Sequence, residues 1–198
     1  MDAIETLMND HRLIERAIDA LVSFADEVRR KSTDDKAELG RFVTFIREFA
    51  DAHHHAKEED VLFAAMIEAG FPRQGGPVAV MLFEHDQGRA FVGQLADLAA
   101  QLAPWSADDR QRVAQAAQGY ATLLRAHIHK EDAILYPMAE QRLAPEALAR
   151  VSEACGALET ARAASGDLDR LHALAAELVA RHAALSDLQP RPAVTGCR

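Results

Sequence analysis

Apolar residues recur along this chain at steps of three and four over long windows, and no stretch alternates with a period of two. Such a pattern lays one apolar stripe along a helix and leaves no half-buried strand to build a sheet, so the fold class is all-α. The first stripe, Ile4, Leu7, Ile14, Ile18, Leu21, Ala25 and Val28, predicts a helix over about 3–31. Ser32-Thr33-Asp34 breaks it and offers caps for a second helix over about 35–69, which ends at Gly70 with Pro72 beyond. The segment GFPRQGGP is turn chemistry, and Pro77 suits the first turn of a third helix running to about 103. A fourth helix covers about 107–140, bent or interrupted near Pro137. Four long helices on short loops predict an up-down-up-down antiparallel four-helix bundle over 1–143. Two Ala-rich helical stretches, about 145–163 and 167–187, form a C-terminal extension (144–188) with too little core to stand alone. The extension is expected to pack on the bundle, on a second copy of the chain or on a protein partner. Residues 189–198, with two prolines and a glycine, read as a loose tail.

Composition removes several function classes. With 198 residues, 49% hydrophobic and 27% charged, the chain can bury one real core and is not globally disordered. Its 31 acidic against 22 basic residues give a net charge of −9, the opposite of a protein that neutralises nucleic-acid phosphates. No apolar run approaches the roughly 20 residues of a membrane span. The opening MDAIETLMNDHR carries acids where a secretory signal would be basic and apolar. Two cysteines, Cys155 and Cys197, make neither a disulfide framework nor a zinc knuckle, so the expected setting is the reducing cytoplasm. Cys155 reads as a small buried residue.

Nine histidines are the unusual item. His11 falls on the first apolar stripe, His85 on the third, among Val78, Met81, Leu82 and Val92, and His127 on the fourth, with Glu131 four residues later. Residues at i and i+4 share a helix face, so that histidine and carboxylate can address the same ion. The second helix reads His53-His54-His55-Ala56-Lys57-Glu58-Glu59, which allows either His54 with Glu58 or His55 with Glu59. The pattern favours His54 and Glu58, because the His55 face runs back through Asp51 and Glu48. His53, His55 and His129 read as solvated or as outer groups, and His172 and His182 as surface residues of the extension. Tyr120 reads as core packing, or as a hydrogen-bonding group two turns from His127. At 1.5 Å rise per residue, His11, His54, Glu58, His85, His127 and Glu131 all lie about 12–22 Å from the same end of the bundle. Four imidazoles and two carboxylates in one layer of a bundle predict a dinuclear metal site, with two histidines per ion, shared glutamates and room for a small exogenous ligand.

These residues resemble the hemerythrin-like (HHE cation-binding) family. The resemblance rests on His11, on His54-xxx-Glu58 followed by Glu59 and Val61-Leu62-Phe63, on Glu84-His85, and on His127-xxx-Glu131 followed by Ile134-Leu135-Tyr136. It covers about residues 1–140 and is nearest to bacterial di-iron proteins of stress response and iron-centre repair. It implies a non-haem centre of two iron ions, other divalent metals being possible, on those four histidines and two glutamates. The ligand it implies is dioxygen, nitric oxide or peroxide, met in sensing or stress response. Two other readings use the same residues: an enzyme converting peroxide or nitric oxide, and a metal reservoir or interaction module. The chain departs from the oxygen-carrying members where Arg89 follows His85 at i+4 and where Glu131 stands in place of an aspartate at i+5. The five-histidine set of those carriers is therefore expected to be incomplete. Having no lone pair, Arg89 is expected to pair with Asp86 or another carboxylate, or to stabilise a bound anion.

Overall fold

The computed structural model describes residues 2–182, which form six helical runs; the expected tail at 189–198 and the last residues of the extension lie outside the described residues. Helix α1 is Ala3–Arg29, capped by the Asp2 carboxylate, which accepts the Ile4 N–H at 2.9 Å. Helix α2 (36–68) starts behind Asp35, whose carboxylate accepts the Glu38 N–H at 2.9 Å. Helix α3 is Pro77–Ala99, entered through Gly75 and Gly76 at φ 74° and 82°, which only glycine adopts without strain. It stops short of the expected 103, where side chains capture carbonyls in its last turn and beyond its end. The Trp105 indole donates to Leu98 at 3.0 Å, and the Lys36 ammonium donates to Gln101 at 2.8 Å and to Ala103. Helix α4 (107–142) opens with a reciprocal capping box between Ser106 and Asp109. Helices α5 (Pro145–Ala164) and α6 (Asp167–His182) complete the described chain.

Two of these helices are not α-helical throughout. Helix α2 is π-helical over Ile46–His55 and again over Glu58–Leu62, before ending as Phe63–Glu68. Helix α4 is π-helical over Glu131–Leu135, between Ala107–Lys130 and Tyr136–Arg142. The i→i+5 pattern is explicit at both glutamates: the Phe63 N–H bonds to the Glu58 carbonyl, and the Tyr136 N–H to the Glu131 carbonyl. In α4 this accounts for the irregularity expected near Pro137, which has no N–H and cannot join an α ladder. The chain takes up that defect by widening the turn in front of it.

Helix α1 packs on α4, α4 on α3, α3 on α2 and α2 back on α1, while α6 lies against α1 and α2, and α5 against α1, α2 and α6. The apolar interior falls into two separate clusters. One contains Ile14, Phe24, Phe42, Phe49, Val92, Leu124 and Ile128, joined by Leu168, Leu171 and Leu178 of α6. The other contains Leu7, Leu62, Phe63, Met81, Leu135 and Tyr136, joined by Val151 and Cys155 of α5. The histidines stand between the two, so a polar layer interrupts the core and apolar material closes it from both sides. Among the described residues, no helix is long and apolar enough to cross a membrane.

Candidate metal centre

All six residues singled out by the sequence are buried in this layer: His11, His54, Glu58, His85, His127 and Glu131 expose 2% or less of their surface. Buried with them is a fifth imidazole, His55, stacked on His85 with ring centroids 3.7 Å apart. Its expected place in solvent is therefore corrected, and it adds a fifth imidazole from the second helix, while Arg89 still stands where the carriers have a second histidine on the third. The π-helix is the physical reason. It winds more loosely than an α-helix, so consecutive residues span a narrower arc and His54 and His55 both turn inward. The alternatives His54/Glu58 and His55/Glu59 thus divide differently. Both histidines meet at Glu58, while Glu59 lies outside and bonds to the far side of His85.

The five imidazoles share one orientation rule. Each Nδ1 donates to a carboxylate: His11 to Asp132 at 2.7 Å, His54 to Asp10 at 3.2 Å, His55 to Asp51 at 3.2 Å, His85 to Glu59 at 2.7 Å and His127 to Glu84 at 3.0 Å. A carboxylate only accepts, so Nδ1 carries a proton in each ring, and Nε2 is the atom that offers a lone pair once that ring is neutral. Each of these carboxylates is held in turn by a cation. Arg12 holds Asp132, Lys57 holds Asp10, Lys130 holds Glu84, and Arg89 spans Asp51 and Glu59 at 2.8 and 2.7 Å while also reaching Asp86. Chains of this kind, carboxylate to histidine to ion, are how proteins orient metal-binding imidazoles.

The Nε2 atoms face the two glutamates. Glu131 Oε2 lies 3.1 Å from His127 Nε2 and 3.3 Å from His11 Nε2, and Glu58 Oε2 lies 3.5 Å from Nε2 of both His54 and His85. The only hydrogen bond to either carboxylate among the described residues comes from Tyr136, whose hydroxyl donates to Glu58 Oε1 at 2.6 Å. Glu58 Oε2 and both oxygens of Glu131 are buried without a hydrogen-bond partner. His85 Nε2 and His127 Nε2 stand 3.0 Å apart. Converging lone pairs and orphaned carboxylate oxygens are unfavourable against each other and favourable around cations.

Electrostatics divide the groups further. Burial, reinforced by the Glu131 charge, drives the Glu58 carboxyl well above its ordinary pKa. Burial also opposes the charge on Glu131, but His11 and His127 outweigh it and hold that carboxylate low. Burial and the neighbouring imidazoles keep His54 well below its usual value and bring His55 to about 4, against the pull of Asp51. For His11, burial is outweighed by Asp132 and Glu131, which raise it to about 9. Two overlapping groups could each hold an ion: His55, Glu58, His85 and His127, and His11, His54, Glu58 and Glu131. Glu58 belongs to both. A cavity of about 270 Å³ reaches the first group from the surface, between Arg47 and Arg89 at its charged wall and Ile46, Val92, Tyr120 and Leu124 at its apolar one.

Of the other histidines, His182 departs from its expected place and the solvated option for His53 falls, while His129 and His172 keep theirs. His182 is buried, 2.9 Å from Glu38 and edge-on to Phe24, not on the extension's surface. His53 is buried beside Lys57 and Glu159. His129 and His172 are exposed. The tyrosine at the centre is Tyr136, while Tyr120 packs beside Gly88 and lines the cavity. Tyr136 carried a signal in its position five residues after Glu131.

Comparison with known proteins agrees with this geometry. The family described as the hemerythrin HHE cation binding domain matches residues 2–139. An uncharacterized protein of Mycobacterium tuberculosis (strain H37Rv) is 25% identical over 138 residues, covering 68% of this chain and 52% of that protein. The iron-sulfur cluster repair protein YtfE of Musicola paradisiaca is 35% identical over 125 residues, covering 60% of this chain and 55% of that protein. The chain thus spans about half the length of the curated relatives it matches. No solved structure matches it. With the family match running through every residue of the buried layer, the chain belongs to the hemerythrin HHE cation-binding domain family.

Proposed function

We propose that this chain is a non-haem di-iron protein that binds or reacts with a small ligand such as dioxygen, nitric oxide or peroxide, in sensing or stress response. The observation that carries it is the common orientation of the imidazoles: each of the five Nδ1 atoms is spent on a carboxylate, and Nε2 of His11, His54, His85 and His127 is turned toward Glu58 and Glu131. In this reading His55, His85 and His127 hold one ion, His11, His54 and Glu131 the other, and Glu58 serves both. Imidazole with carboxylate suits iron, and other divalent metals fit the same donors. The bound pair would supply Lewis-acidic, redox-active centres for the small ligand. The chain's own part is to fix the imidazoles, exclude bulk water with the two apolar clusters, and admit the ligand along the cavity beside Val92 and Leu124. Tyr136 keeps Glu58 oriented and holds a proton on its hydroxyl against that carboxylate. The up-down-up-down course of the four helices and a cytoplasmic setting belong to the same proposal.

A second reading is favoured by the likeness to a protein named for iron-sulfur cluster repair: the ions themselves are handled, stored or passed on. Metal analysis of the wild type and of Glu58→Ala with Glu131→Ala tests the shared premise. Near two metals per chain should fall below one. An unchanged metal content would overturn the role of both glutamates. A visible spectrum of the iron-loaded protein that responds to azide or nitric oxide supports the ligand-binding reading; ready metal exchange without such a response supports the second.

A further inference from the structure

Beside the five-histidine layer lies another polar cluster, formed by Asp10 of α1, His53 and Lys57 of α2 and Glu159 of α5. Lys57 is fully buried. Its ammonium lies 2.6 Å from Asp10 Oδ2 and 3.2 Å from His53 Nε2, and it also donates to Glu159. An ammonium has three protons to give, and the two carboxylates take two of them, with His53 Nε2 shared between Lys57 and Glu159, 3.0 Å away. The Asp10 oxygen that receives Lys57 is the one that receives His54 Nδ1, at 3.2 Å.

This arm differs from the other four. Arg12, Arg89 and Lys130, which secure the remaining carboxylates, belong to the four bundle helices and are 52%, 38% and 33% exposed. Lys57 has no water to fall back on, and half of its compensating charge comes from α5, beyond residues 2–139 of the family match. Without Glu159 the ammonium has Asp10 as its one carboxylate, and Asp10 is drawn toward it and away from His54. One turn further along α5, Arg162 donates to the carbonyls of Glu48 at 3.2 Å and Ala52 at 2.8 Å, inside the π-helical stretch that turns His54 and His55 inward. At the other end of the same face, Ser152 accepts the Ala3 N–H at 3.2 Å.

We infer that the C-terminal extension is a working part of the metal centre: Glu159, acting through Lys57 and Asp10, is a positioning residue for His54. The inference rests on the reading of His54 as a metal ligand. It predicts an effect confined to the ion held by His11, His54 and Glu131.

The test uses the full chain, with Co(II) as the probe, in the wild type, Glu159→Gln and Lys57→Met. Stepwise titration gives the two affinities, and proton resonances of the ring N–H groups, shifted by the paramagnetic ion, report each imidazole. Two Co(II) ions are expected in the wild type. In Glu159→Gln one step should weaken by about tenfold to a hundredfold, as expected for loss of an outer partner of a ligand. The other step should be unchanged, and the His54 N–H signal alone should move. Lys57→Met should do the same more strongly; should that variant not fold, Glu159→Gln, a partly exposed site, carries the test. Two unchanged steps in Glu159→Gln would overturn the inference alone. So would equal weakening of both steps with a lower melting temperature, the mark of a merely structural role. Fewer than two ions in the wild type would overturn the di-metal reading and this inference with it.

Discussion

Replacing Glu58 with glutamine separates what the centre costs the fold from what it gives the metal. In the metal-free protein Glu58 is fully buried, one oxygen bonded to Tyr136 and the other without a partner, beside a second buried carboxylate. A buried polar group left unsatisfied costs about 1–3 kcal/mol, and more when charged. Glutamine keeps the shape, keeps a carbonyl for the Tyr136 hydroxyl, and places an amide near the His54 and His85 Nε2 atoms, 3.5 Å from the present oxygen. Metal-free Glu58→Gln should therefore be more stable than the wild type by roughly 1–3 kcal/mol. At about 2–4 °C per kcal/mol for a chain of this size, that is a rise of roughly 2–12 °C in melting temperature. With metal the order reverses, because each ion present at a hundred times its Kd adds about 2.7 kcal/mol and the variant loses a ligand common to both. Calorimetric melts in chelator and in excess metal, with metal analysis of the same samples, read both effects. A variant that melts below the wild type in chelator and still carries two ions would refute the reasoning.

Three further outcomes follow from parts of the molecule away from the ions. A Cβ at Gly119 would stand 2.6 Å from Cε1 of the partly exposed Phe91 ring, which borders an open cleft and can turn aside, so the helix propensity gained by Gly119→Ala should hold the change in urea melts to within about 1 kcal/mol; a larger loss would show the ring to be fixed. Burial opposes the charge on Glu38, but His182, Arg41 and Arg181 outweigh it and lower its pKa. A lowered carboxylate contributes stability above its unfolded pKa of about 4.3 and loses it as pH falls through the folded value. Glu38→Gln should cost about 1.5–3 kcal/mol at neutral pH, with the gap to the wild type closing below about pH 4; a gap independent of pH would exclude the ion pairs as its source. Burial pushes the Cys155 thiol up to about 11. Alkylation at pH 8 followed by peptide mass analysis should leave Cys155 unmodified until denaturant is added, and rapid native labelling would place α5 away from the bundle.

The helices and the depth of the buried layer were legible because both depend on spacing alone. Four apolar stripes and the rise per residue brought His11, His54, Glu58, His85, His127 and Glu131 to one level. The fifth imidazole was hidden by a change of helix type. With α-helical spacing the face of His55 runs through Asp51 and Glu48 and looks solvated, yet Asp51 is the residue that holds His55 by its Nδ1. Acids behind a histidine can mean solvent or an anchored imidazole, and one sequence does not separate the two. Glu59, within the acidic run Glu58-Glu59-Asp60, is obscured for the same reason, although His85 and Arg89 both bind it and bring its pKa to about 2 against the effect of burial. Partners distant in sequence left no local trace: Glu38 with His182, and Lys57 with Glu159, are brought together only by the docking of α5 and α6.

The turn at 70–76 divides the donor set almost evenly. On one side of it lie His11, His54, His55 and Glu58; on the other lie His85 and the pair His127 and Glu131, and each glutamate begins its own five-residue π-helical stretch. Neither helix pair by itself contains the whole of either candidate group, since Glu58 is shared and Glu131 reaches back to His11. Under the proposed di-metal reading the two helix pairs would be fastened through coordination bonds as well as through oil-like contacts, and the strength of that seam would be set by whatever the cage contains.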